Sequence, residues 1–163
     1  MRAAGLLGSG AVVTTVDSSA PAIAKAQANV KRNGFDERNA VFLDADVNAS
    51  LRSLHKEGRQ FDAIVLDPPK FAPSAAHAER AARAYKDINR WAFKLLSKGG
   101  VLFPYSCSGG ISPELFHKIV ASAGNDSGVD AYFLDRVHAA PDHPMTVCFP
   151  EGEYLKGLIL MKK

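Results

Sequence analysis

The sequence predicts an α/β fold of the doubly wound kind, a mostly parallel sheet flanked by helices that closes on an antiparallel strand pair. Three observations predict it. Short apolar runs alternate with alanine-rich stretches of helical length. Two of the runs end in polar clusters, Asp67-Pro68-Pro69-Lys70 and Ser106-Cys107-Ser108, and open α/β sheets bind ligands at the carboxyl ends of their strands. The last part of the chain replaces the helix between two strands with a proline-bearing loop, which suits antiparallel pairing.

Ala11 to Val16 is a β-branched run ending in Asp17; Ser18-Ser19-Ala20-Pro21 then supplies helix caps and a first-turn proline. The alanine-rich stretch from Ala22 to Arg32 reads as a helix closed by Asn33-Gly34. Val41 to Leu43 is a short strand, Asn48 to Gly58 a helix, and Phe61 to Leu66 the strand before Asp67. Ala75 to Ser97 is the longest helical pattern, stopped by Lys98-Gly99-Gly100. The strand Val101 to Tyr105 follows, then a helix from Pro113 to Ala123 capped by Ser112. Ala131 to His138 and Tyr154 to Met161 form the closing strand pair.

With 163 residues, 47% hydrophobic and 23% charged, the chain fits one globular domain. A net charge of +3 suits a nucleic-acid partner without requiring one. No apolar run approaches the roughly 20 residues that span a bilayer, so no membrane role is expected. Two cysteines and no secretory leader point to a reducing, cytoplasmic setting. Met1 to Leu7 resembles the tail of a helix, and Gly5, Gly8 and Gly10 do not follow a strand. The first strand and glycine-rich turn of a nucleotide-binding sheet are therefore expected to be missing from an N-terminally truncated chain.

The strand ends carry the candidate chemistry. Asp67 is followed by two prolines, which fix φ, lack donors and so hold a turn that presents the carboxylate. Lys70 could hold a phosphate or stay solvated. Asp17 could accept hydrogen bonds from ribose hydroxyls or help to cap the helix that follows. Asp46 could accept the exocyclic amine of an adenine; Asp44 competes for that role, and a solvated loop acid is the plain alternative. Cys107 sits between Ser106 and Ser108 and before Gly109-Gly110, a polar and flexible setting for an exposed thiolate. Cys148, between Val147 and Phe149, reads as the structural cysteine. Neither a CxxC pair nor a GxSxG turn is present, so neither a zinc site nor a serine hydrolase is expected.

An ordered set of motifs resembles the catalytic domain of class I S-adenosylmethionine-dependent methyltransferases, specifically the large-subunit 23S ribosomal RNA cytosine-5 methyltransferase I family. The matching stretches are Phe61 to Phe71, Ala84 to Asn89, Ser106 to Gly109, Asp142 to Pro144 and Pro150 to Gly157. The resemblance implies that Cys107 adds to C6 of a cytosine, making C5 nucleophilic enough to take a methyl group. It implies that Asp67 stands by the base and the cofactor, and that Asp17 and Asp46 hold the ribose and adenine of S-adenosylmethionine. Ribosomal RNA is the implied partner, a homodimer is compatible with the resemblance, and the cytosine must leave its stack or be presented in a loop. Family members also carry a PUA-type RNA-binding domain, which has no counterpart in this sequence. Two other readings stay open: an amino-group methyltransferase of adenine N6 or guanine N2, in which Cys107 is idle, and a catalytically inactive remnant.

Overall fold

The computed structural model describes residues 7–149 and 152–163. Its strands form two sheets, one in each of two compact units that divide between Ser53 and Leu54. In the first unit, strand β1 (Val13–Asp17) pairs in parallel with β2 (Ala40–Asp44), and helix α1 (Ala20–Arg32) crosses over between them. The helix begins where Ser19 accepts the Ala22 amide and ends at Asn33, followed by Gly34 at φ +66°, a left-handed value that glycine adopts without strain. Ile23 and Val30 are its buried residues. Helix α2 (Val47–Lys56) follows β2. Of the expected N-terminal helix, Leu7 and Gly8 are helical, and residues 1–6 lie outside the described part.

The second unit holds a four-stranded sheet in the order β3-β4-β6-β5, where β3 is Phe61–Leu66, β4 Leu96–Ser106, β5 Ala131–Val137 and β6 Lys156–Lys162. β3 and β4 are parallel, linked through helix α3 (Ala78–Leu95), while β6 runs antiparallel to both β4 and β5. Helix α4 (Pro113–Ser127), capped by Ser112 and closed by Gly128 at φ +69°, packs on α3. Their core contains Tyr85, Leu95, Leu96, Leu102, Phe116, Val120 and Leu158, all fully buried. The Tyr85 ring meets Phe71 and Phe116 edge-on, with centroids 4.8 and 5.5 Å apart. This is the predicted α/β architecture, with a parallel core and an antiparallel C-terminal pair.

The largest boundary difference from expectation lies between the long helix and the strand that follows it. The long helix stops at Leu95 instead of Ser97, and the strand after it begins at Leu96 instead of Val101. Leu95 and Leu96 are both buried, and turning the chain from helix to strand between them hides both side chains. The glycines then serve a different purpose: Gly99, at φ +77°, and Gly100, whose added Cβ would lie 2.9 Å from the Ser97 carbonyl oxygen, let β4 bulge against β3. Cys148 is also misread by sequence, since it is exposed, as are its neighbours Val147 and Phe149. Among the described residues, no helix is long and apolar enough to cross a membrane.

Candidate active site

In the second unit the parallel register places Leu66 beside Pro104, so the turn leaving β3 and the turn leaving β4 rise from neighbouring strand ends. Asp67, Pro69 and Lys70 are exposed on the first turn, and Cys107 is half-buried on the second. The two turns are stitched together. The Ala72 amide donates to Ser108 Oγ at 3.0 Å, and the Gly110 amide donates to the Ala72 carbonyl at 3.4 Å. Ala72 has no exposed surface, so these bonds are shielded from water.

The serines beside Cys107 do not make the flexible polar surroundings that the sequence suggests. Both are fully buried. Ser106 Oγ donates to the Tyr85 hydroxyl at 2.9 Å, the same hydroxyl lies 2.9 Å from Ser108 Oγ, and the Ser108 amide donates to Ser106 Oγ at 3.2 Å. Having accepted from Ser106, the phenol keeps its own hydrogen for Ser108. Side chains alternate along an extended segment, so turning residues 106 and 108 inward leaves Cys107 as the partly exposed member of the triplet. Buried polar atoms demand partners, and here that demand fixes the turn that carries the thiol.

Lys156 completes this arrangement and was not singled out from the sequence as a site residue. It lies directly across the β4–β6 ladder from Ser106 and donates through Nζ to the carbonyl oxygens of Ser108 and Ile111, each at 2.7 Å. Burial pushes its ammonium below the ordinary lysine range; the charge of Cys107 works against that shift and the like charge of Lys70 adds to it. The strand can carry the lysine there because residue 157 is glycine. A Cβ at Gly157 would lie 2.6 Å from both Tyr105 Cε1 and Val137 Cγ2. Its signals in the sequence were the Lys156-Gly157 pair at the head of an apolar run and its place in the matching stretch Pro150 to Gly157.

In the first unit Asp17 and Asp44 face each other in register at the carboxyl ends of β1 and β2. Asp17 Oδ1 accepts the Ser19 amide at 2.8 Å, so it steadies the residue that caps α1 and is not itself the cap. Asp46 Oδ1 accepts the Ala49 amide at 2.8 Å, which makes Asp46 the N-cap of α2. A carboxylate has acceptor capacity on both oxygens. Each acid therefore keeps acceptor capacity beyond its local bond.

The profile of the family described as methyltransferase domain matches residues 1–136. The chain belongs to this family. This methyltransferase domain is 49% identical over 155 residues to ribosomal RNA large subunit methyltransferase I of Aeromonas salmonicida, and 48% identical over 147 residues to the protein of that name from Vibrio cholerae. The first match covers 95% of the chain and 39% of the relative, the second 89% and 37%. The chain thus spans well under half the length of the curated relatives it matches. Among solved structures it resembles SMU.776, a methyltransferase by its description, complexed with SAH, at TM-score 0.77 and 21% identity over 91% of this chain and 38% of that one. The fold is that of the S-adenosylmethionine-dependent methyltransferases.

Proposed function

We propose that this domain methylates C5 of a cytosine in 23S ribosomal RNA through a covalent adduct on Cys107. The observation that carries the reading is the placement of Cys107: a partly exposed thiol between two serines buried on one tyrosine, adjoining the turn that bears Asp67. A cysteine that only filled space would not call for such bracing. The names of the relatives support a ribosomal RNA substrate, and a cytoplasmic setting agrees with it.

S-adenosylmethionine is the methyl donor, and it supplies an electrophilic methyl group on a sulfonium. Asp17 would accept its ribose hydroxyls and Asp46 its adenine amine. The Cys107 thiolate forms a bond to C6 of the base, and the electrons of the C5–C6 double bond then make C5 nucleophilic. After C5 is methylated, loss of its proton to a base restores the double bond and expels the thiolate. Asp67, on the exposed turn, would orient the cytosine through N3 or N4. The base reaches the thiol by leaving its stack.

Incubating the chain with 23S ribosomal RNA and methyl-labelled donor, then digesting to nucleosides, tests the proposal. The expected product is 5-methylcytidine, absent with Cys107→Ala. Label in N6-methyladenosine or N2-methylguanosine, with Cys107→Ala unimpaired, would establish the amino-group reading instead. Calorimetry with S-adenosylhomocysteine checks the inactive-remnant reading, which micromolar binding would contradict.

A further inference from the structure

We propose that Lys156 is a positioning residue for Cys107, clamping the turn that carries the thiol and fixing a positive charge beside it. The inference deepens the reading of Cys107 as the nucleophile and rests on it. Its basis is geometric. Lys156 stands opposite Ser106 in the antiparallel ladder and reaches past it to the carbonyls of Ser108 and Ile111, bonding to the residue after Cys107 and to the end of the same turn. An ammonium has three hydrogens; two are committed to these carbonyls, which pins the charge where an unbound lysine head would wander through solvent.

The surroundings explain why a lysine stands there. The turn has Ser106 and Ser108 buried beneath it and glycine at Gly109 and Gly110; past the end of β4 its backbone is held by a few turn bonds and by side chains, not by a ladder. Two charge-assisted bonds to its carbonyls supply what the ladder lacks. The ammonium interacts electrostatically with Cys107 and with Lys70. A thiolate forming at Cys107, or one expelled there at the end of turnover, meets a cation already in place, in a half-buried site where water screens it poorly.

Alkylation of Cys107 by two reagents of nearly equal size and different charge reads this potential without RNA or cofactor. In a Cys148→Ser background, rates with iodoacetate and iodoacetamide are measured by mass spectrometry of the Cys107 peptide. Lys156→Gln should lower the iodoacetate-to-iodoacetamide rate ratio by about threefold or more, and Lys156→Arg should restore most of it. A merely structural lysine would change both rates together and leave the ratio alone, which would overturn the inference. Should the glutamine variant fail to fold, the unsubstituted chain still decides: the ratio must fall as KCl rises, and insensitivity to salt would overturn it. Failure of the proposed function is distinguishable, because methyl transfer that survives Cys107→Ala would leave a charge-dependent ratio intact.

Discussion

The Tyr85 hydroxyl lies 2.9 Å from Ser108 Oγ, joining the middle of helix α3 to the turn that follows β4 across 23 residues of sequence. Ser106 donates to the same oxygen from the other side of Cys107. A single phenol thus holds both neighbours of the proposed nucleophile, and its ring is locked in turn between Phe71 and Phe116. The rigidity of the helical layer passes to the thiol by this route.

Removing that oxygen leaves two buried serine hydroxyls each short of a partner. Tyr85→Phe should cost roughly 1–3 kcal/mol of stability, measured by urea denaturation, and should lower kcat more than it raises KM. Equal stability and unchanged kcat would mean that the network does not position Cys107.

The two cysteines should separate cleanly. Cys107→Ala is expected to abolish formation of 5-methylcytidine without loss of folding, whereas Cys148→Ser, at an exposed position, should leave turnover within about twofold and shift stability by less than about 0.5 kcal/mol. Nucleoside analysis and thermal melts on both variants check this.

Asp46 is both a helix cap and the proposed adenine ligand, and the two roles can be divided. Asparagine caps helices about as well as aspartate, while alanine costs about 1 kcal/mol. Asp46→Asn should therefore keep the melting temperature but weaken S-adenosylhomocysteine binding by calorimetry. Asp46→Ala should lose both.

Gly157 admits no side chain. Gly157→Ala drives a methyl to 2.6 Å from Tyr105 and Val137, and relief requires β6 to move away from β4 or β5. A loss of roughly 1–3 kcal/mol is expected, with part recovered by adding Val137→Ala, as denaturation of the single and double variants would report.

Lys156 should also mark the pH dependence of stability. Burial holds its folded pKa below the ordinary 10.5, so between the folded value and 10.5 the unfolded chain binds the extra proton. Stability from this group therefore rises with pH through that window and is lost as pH falls through the folded value. Subtracting the stability profile of Lys156→Met from that of the unsubstituted chain should show a difference that grows in favour of the lysine as pH increases over that interval.

Much of the architecture was legible because local signals and burial agree. Phe61–Leu66 reads as a strand from its apolar run, and the structure has those bounds. Ser19, Ser112 and Asn33 cap as their types and positions suggest. The errors fall where burial overrode punctuation. Gly99-Gly100 looked like a helix stop, yet Leu95 and Leu96 could both be buried only by ending the helix earlier, and the glycines went to a bulge instead.

The sequence by itself determined the α/β class and the antiparallel close, and it put the candidate residues Asp17, Asp46, Asp67 and Cys107 at or just past strand ends. Periodicity, caps and prolines act within a few residues, so they survive in one dimension. Only the tertiary structure decided that Ser106 and Ser108 are buried on Tyr85, that Cys148 is exposed and that Lys156 reaches the Cys107 turn. Those facts depend on pairing residues 21 to 48 positions apart, and such pairing is chosen by satisfying buried polar groups and filling space, which no local pattern encodes.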